Sequence, residues 1–168
     1  MADEIAIASA HGTVLLRPER ADDVVFRFEL FCQSRPPEWE SVQIDPELRD
    51  RLMRHQFNAQ TASYRTQFPR ARFDIIELDG EAIGRIVVDR PGHLLNIVDQ
   101  AIVPRLRNKG LGTTIMRSLM DEARQQAIPV RLMVNSSNDL SIRLYLRLGF
   151  VPIESEPLYI ALEWKAPT

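Results

Sequence analysis

With 168 residues, 45% of them hydrophobic and 26% charged, the chain has the size and balance of one folded domain. Its formal net charge of −2 excludes the global positive field that recruits nucleic acid or an anionic membrane. Cys32 is the only cysteine, which excludes an internal disulfide and a multi-cysteine metal cluster, and His11, His55 and His93 show no ligand spacing, so no metal site is expected.

The opening Met1–Ile5 has no basic segment followed by a long apolar run. No stretch approaches the roughly 18 apolar residues that span a bilayer, so a cytoplasmic location is expected. Thr13–Arg17 reads as a short strand ended by Pro18. Val24, Phe28 and Phe31, with Val25 alongside, recur at helical spacing and predict a helix near Ala21–Gln33, interrupted by Arg35-Pro36-Pro37. A second helix begins at Asp45-Pro46, with Asp as cap and Pro in the first turn; its apolar positions are Leu48, Leu52 and Phe57, with Met53 beside them.

The middle of the chain is β. Phe73–Leu78 and Ala82–Val88 flank Asp79-Gly80, a tight-hairpin dipeptide, and Leu94–Val103 follows the turn Arg90-Pro91-Gly92 as a third strand of an antiparallel meander. Leu111, Ile115, Leu119 and Ala123, widened by Met116 and Met120, then form the stripe of an amphipathic helix. Pro129–Val134 is a strand, Leu140–Leu148 a helix stopped by Gly149, and Leu158–Trp164 a final strand with one buried face. The order β-α-α-β-β-β-α-β-α-β describes a mixed sheet with helices packed on it. Strand, helix and strand over Leu94–Val134 permit a parallel crossover. One domain is expected over residues 1–168, with its core at about 13–165 and residues 1–12 as an N-terminal tail.

Two of the seven glycines, Gly110 and Gly112, sit where a strand gives way to a helix. A helix N-terminus carries unpaired N–H groups and a partial positive charge, and glycine lets the backbone approach an anion. Arg105, Arg107 and Lys109 add cationic groups, so the loop suits a diphosphate. The plain alternative is a strand-to-helix turn with its basic residues in water. The loop is no dinucleotide fingerprint, because Ile115 stands in the third glycine position, and no Walker loop, because no Gly-Lys-Ser/Thr occurs.

The run Ile102–Gly112 (IVPRLRNKGLG) resembles the acetyl-coenzyme A (acetyl-CoA) loop of the GNAT acetyltransferase superfamily, Arg/Gln-x-x-Gly-x-Gly/Ala after a strand ending in Val-x-Pro or similar. Arg107, Gly110 and Gly112 occupy its fixed positions. A second block, Asn138-x-x-Ser-Ile-x-Leu-Tyr145-x-x-Leu-Gly-Phe150, is similar to that family's second coenzyme motif, with Ser141 where alanine is usual. The resemblance implies an α/β (α+β), GNAT-like fold: a mixed, mostly antiparallel six- to seven-stranded sheet flanked by about four helices. It implies that the amides of Arg107, Asn108, Lys109, Gly110, Leu111, Gly112 and Thr113 bind the coenzyme pyrophosphate. The main chain of Ile102 and Val103 would pair with the pantetheine arm, and Asn138 would contact the coenzyme.

Tyr145 is the general acid by the same resemblance. A phenol of pKa about 10 can return a proton to a departing thiolate of parent pKa about 8–9. A core tyrosine with its hydroxyl capped by a carbonyl is the alternative. An amine acceptor also needs a base, which family members often place on the strand before or after the loop. Asp99 is the candidate on the first, while Met133 and Asn135 offer no carboxylate on the second. Strand alternation sets Asp99 opposite to Asn96 and Gln100, and a bulge would shift that register; a structural Asp99, bonded to nearby backbone, is the other reading, and His93 and Glu77 are further candidates. The acceptor wall would be Phe28–Phe57, with Glu29, Glu38, Glu40 and Asp45 beside Phe26, Phe28, Phe31 and Trp39. The cluster Arg65/Arg70/Arg72 would meet an acidic acceptor or protect a strand edge.

The implied activity is acetyl-CoA-dependent transfer of an acetyl group to a primary amine of a small molecule or peptide, by direct attack in a ternary complex. Acetyl-CoA would be co-substrate, with no metal. The alternatives are a non-catalytic coenzyme A-binding sensor or scaffold and an unrelated nucleotide-binding protein. No nucleic-acid or membrane partner is expected, and Trp164 with the C-terminal strand is the candidate for a homodimer contact.

Overall fold

In the computed structural model, which describes residues 3–35 and 42–168, eight strands form one sheet. In chain order they are β1 (Ile5–Ser9), β2 (Gly12–Pro18), β3 (Arg72–Leu78), β4 (Glu81–Asp89), β5 (Leu95–Ile102), β6 (Val130–Asn135), β7 (Val151–Ser155) and β8 (Tyr159–Trp164). Four helices connect them: α1 (Val24–Gln33), α2 (Pro46–Gln67), α3 (Leu111–Gln126) and α4 (Asp139–Arg147). The spatial order is β1-β2-β3-β4-β5-β6-β8-β7, antiparallel throughout except for β5 and β6, which run parallel. No helix among the described residues is long and apolar enough to cross a membrane.

The expected mixed sheet with four helices is present, with two more strands than the six read from the elements. One is β1, within the residues taken as a tail; it alternates Ile5, Ile7 and Ser9 against exposed Ala6 and Ala8 and pairs with β2. The other is β7, whose five residues are all exposed, so no buried face marks it in the sequence. The hairpin at Asp79-Gly80 forms with positive φ at both residues (50° and 85°).

The main core lies between the sheet and α3. Leu111, Ile115, Met116, Leu119, Met120 and Ala123, the stripe read from the sequence, pack there against Val14, Ile76, Ile86, Leu95, Ile97, Leu132 and Leu162. Trp164 belongs to this core at 5% exposure, which removes it as a dimer contact.

The helices on the other face are organised differently. On α1 the buried residues are Arg27, Leu30 and Phe31, while Val24 and Val25 are exposed. The inward position 27 carries an arginine, so the expected stripe is met only at buried Phe31 and half-buried Phe28, and Val24 points outward. On α2 the buried stripe is Met53 and Phe57, continued by partly buried Thr61 and Tyr64, and Leu48 and Leu52 face outward. Phe31, Met53 and Phe57 form a small cluster, with Phe28 and Cys32 against it and edge-on contacts of Phe28 and Phe31 with Phe57. Burial pushes the Cys32 thiol up, away from reactivity.

Ion pairs replace much of the apolar packing beneath these helices. Arg17 grips Asp23 through both terminal nitrogens at 2.8 Å and donates to Glu77. That bidentate contact holds Asp23 below the usual carboxylate range. Helix α2 offers a direct test of the revised face: Met53→Ala should lower unfolding free energy by about 2–5 kcal/mol. Leu52→Ala should cost no more than about 0.5 kcal/mol. Denaturant melts of the two variants check this, and equal losses would return the buried face to Leu52.

Candidate functional site

Strands β5 and β6 share hydrogen-bonding register only over Leu95–Ile97 and Val130–Leu132. Beyond that β5 continues to Ile102 and β6 to Asn135 without a partner between them, so the two strands part toward their C-terminal ends. The two sequence blocks lie at the mouth of this parting, one after β5 and the other after β6. Ligands of sheets with parallel strands sit in such crevices.

After β5 the chain makes a 3-10 turn over Pro104–Leu106, and the Arg107 N–H bonds to Pro104 O at 3.2 Å. Arg107 is thus excluded from the run of amides expected for a pyrophosphate. The next six, Asn108 through Thr113, have no hydrogen-bond partner among the described residues; the first helical bond runs from Thr114 N–H to Gly110 O at 2.9 Å. Asn108 and Gly110 take φ of 60° and 79°, which turns the chain into α3 and leaves these N–H groups at its positive end. A methyl on Gly112 would meet only Gln100 Nε2 at 3.4 Å and Ile102 Cδ1 at 3.7 Å, ordinary contacts. Packing within the protein therefore does not demand this glycine, whereas close approach by a ligand would.

The basic side chains divide. Arg105 pairs with Glu81. Arg107 donates from Nε to Ile102 O at 2.8 Å and reaches Gln33 O at 3.4 Å, bracing the loop against the end of α1. Lys109 is exposed and makes no ion pair among the described residues. Two residues that sequence reading did not single out also hold the loop. Gln100 donates to Gly112 O at 3.3 Å, and His11, in the β1–β2 turn, sits with Nε2 3.0 Å from Lys109 O. Nothing near His11 in sequence signals this contact, because 98 residues separate the partners.

At the strand edge, Val103 is fully engaged: its N–H bonds to Ile83 O at 2.8 Å and its carbonyl accepts from Leu106 at 3.0 Å. The ladder alternates, so the main-chain groups of Ile102 face away from β4 and toward the parting. Of the two residues only Ile102 keeps a main-chain group free among the described residues, its N–H, because Arg107 already holds its carbonyl.

A bulge in β5 decides where Asp99 points. Ile97 pairs with Val88 and Asp99 with Val87, so Val98 is the extra residue. Ile97 and Val88 belong to the core under α3, whereas Asp99 joins Asn96 on the opposite face, beneath α1 and α2. Gln100 falls on the α3 face, where it meets Gly112.

Burial pushes the Asp99 carboxyl well above its usual range, while Arg85, the Gln100 N–H and Arg35 pull the other way. The Tyr64 phenol on α2 is pushed up by burial and then by Asp99, and so is that of Tyr145 on α4. One carboxylate thus influences tyrosines from both faces of the sheet. The Tyr145 ring stacks at a tilt on Phe150, 5.7 Å between centroids. Its hydroxyl is neither bonded to a described residue nor sealed from solvent, so the carbonyl-capped core tyrosine is not observed. Asn138 caps α4, accepting from Ser141 N–H at 3.2 Å through its carbonyl oxygen, which leaves its amide nitrogen available.

Other sequence candidates lie elsewhere. Glu77 is tied to Arg17, and His93 precedes the first residue of β5, at the opposite end from the parting. Arg65 pairs with Glu19 and Arg72 with Asp74, and β3 is an inner strand with no edge to protect. Glu29 lines a shallow depression with Val24, Phe28 and Arg54, while Trp39, Glu38 and Glu40 lie outside the described residues. A cleft of about 810 Å³ opens between the end of α1 and the start of α2, lined by Cys32, Arg35, Ile44, Arg49, Asp50 and Met53. No group of three or more acidic, histidine or cysteine side chains that could hold a metal occurs among the described residues.

The fold has close counterparts among solved structures. PaiA N-acetyltransferase from Thermoplasma acidophilum, in complex with coenzyme A, superposes with a TM-score of 0.69 at 16% identity, over 91% of this chain and 99% of that one. The ribosomal-protein-S18-alanine N-acetyltransferase from Escherichia coli gives 0.62 at 15% identity over 90% and 93%. A GNAT family acetyltransferase from Elizabethkingia anophelis with acetyl-CoA bound gives 0.58 at 14% over 94% and 100%. In sequence, the model of the acetyltransferase (GNAT) family matches residues 29–150, a span that begins inside α1 and ends just past α4 and contains both blocks at the parting of β5 from β6. The chain belongs to the GNAT acetyltransferase family.

Proposed function

We propose that the chain is an acetyl-CoA-dependent N-acetyltransferase acting on a primary amine of a small molecule or peptide, with both substrates bound at once. The observation that carries this reading is the run of six unpartnered amides, Asn108 through Thr113, at the mouth of the β5–β6 parting. They suit a pyrophosphate, with Lys109 available as the cation. The edge of Ile102 and the Asn138 amide nitrogen suit the pantetheine arm. The coenzyme A and acetyl-CoA complexes among the similar structures support the choice of co-substrate.

The chemistry then assigns roles. The amine nitrogen attacks the thioester carbonyl carbon, forming C–N and breaking C–S. Asp99, with its carboxyl raised by burial, is the base that takes the amine proton. Tyr145, held protonated by burial and by Asp99, gives its proton to the sulfur. Lone Cys32 has a raised thiol and lies among α1 and α2 side chains, which favours direct attack over an acyl-enzyme.

An amine panel read by free-thiol release tests the activity. Tight coenzyme A binding with no thiol released from any amine would instead favour a sensor or scaffold. Tyr145→Phe should lower kcat by about 10²–10⁴-fold with coenzyme affinity little changed, since the hydroxyl makes no bond that the fold needs. Normal turnover in this variant would remove the acid assignment. Rate should rise with pH as Asp99 loses its proton and fall at alkaline pH as Tyr145 ionises; Asp99→Asn should abolish the acid limb of kcat/KM. Gly112→Ala should keep the wild-type melting temperature yet weaken coenzyme A binding about tenfold or more by calorimetry, as loss of close contact to a charged group implies. Unchanged affinity would move the pyrophosphate elsewhere.

A further inference from the structure

Beneath α1 and α2, three guanidinium groups gather on one carboxylate. Glu19, itself buried, accepts from Arg65 at 2.6 Å, from Arg85 at 3.3 Å and lies 3.4 Å from Arg27. Three cations on one anion leave positive charge over. Arg27 and Arg85 are buried, and among the described residues Arg27 Nε and Arg85 Nη2 have neither a hydrogen-bond partner nor contact with solvent. A buried cation with an idle donor is costly unless another anion shares its field.

The strand register supplies that anion. Arg85 on β4 stands opposite Ala101, and Asp99 stands opposite Val87, two residues further along β4. Because of the bulge at Val98, Arg85 and Asp99 lie on one face as diagonal neighbours at a spacing of about 7 Å, close enough for the charge to act although the guanidinium itself bonds to Glu19. Glu19 and the Phe73 ring, 5.5 Å from the guanidinium centre, fix the arginine from behind.

We propose that Arg85, fixed by Glu19, is a positioning residue for Asp99: its charge offsets part of the cost of an ionised carboxylate in a site poor in water, so that Asp99 can give up its own proton and take the acceptor's. This rests on the reading of Asp99 as the base. The groups that face Asp99 from the surrounding elements are Arg85 on β4, Arg35 beyond α1, Tyr64 on α2 and Tyr145 on α4. Both phenols are pushed up and stay neutral near neutrality, so they add no charge, and of the two arginines Arg85 acts more strongly.

The sign of the effect separates this role from mere support of the fold. Loss of the Arg85 charge should raise the Asp99 titration, while loss of the Glu19 charge, which offsets that arginine, should lower it. The Asp99 carboxyl is followed by ¹³C NMR in the full chain alone, and kcat/KM against pH is recorded with acetyl-CoA and whichever panel amine releases thiol. In Arg85→Gln both midpoints should move up by about one pH unit or more. Arg85→Lys should restore most of the shift, and Glu19→Gln should move both midpoints down. An NMR midpoint that stays put in a folded Arg85→Gln overturns the proposal. If Arg85→Gln does not fold, a Glu19→Gln midpoint that is unchanged or raised does the same. A kinetic acid limb that survives in Asp99→Asn ends the base reading and this role with it. That outcome is recognisable because the NMR shift in Arg85→Gln would still be seen.

Discussion

The geometry around the site follows from one constraint: two parallel neighbours, β5 and β6, that pair over three residues and then separate. A sheet that opens in its middle exposes main-chain donors and acceptors on facing edges, and these need partners. At the closed end the α3 core holds the strands together through Leu95, Ile97 and Leu132. At the open end the protein satisfies only part of the edge, with Arg107 on Ile102 O and the Leu106 amide on Val103 O. The remaining groups and the idle amides at the start of α3 lie at the same mouth, which is why the proposed function places the coenzyme's diphosphate there.

Much of this was legible in the sequence because it is written in local chemistry. The Gly110–Gly112 spacing and the stripe Leu111–Ala123 depend on residues a few positions apart, and both appear where they are expected. Tyr145, proposed as the acid, stands out through its block alone. The edge strand β7 was missed because no residue in it is buried, and β1 because five residues with two apolar faces carry little signal.

The face under α1 and α2 was harder to read for a physical reason. Its buried positions hold Arg17, Asp23, Arg27 and Arg85, so hydrophobic periodicity points away from it. These charges are tolerable because each finds a partner, some near in sequence, as Arg17 with Asp23, and some far, as Arg17 with Glu77 and Arg85 with Glu19. The orientation of Asp99 was equally hidden. It depends on a single inserted residue, Val98, and strict alternation would have aimed the carboxylate into the α3 core.

Arg107 has one further implication. Its guanidinium joins the carbonyl of Ile102, at the end of β5, to the carbonyl of Gln33, at the end of α1, and Gln33 also lines the neighbouring cleft. One side chain thus ties the loop after β5 to the helix that borders the cleft, so that a shift of either anchor strains a hydrogen bond at the other.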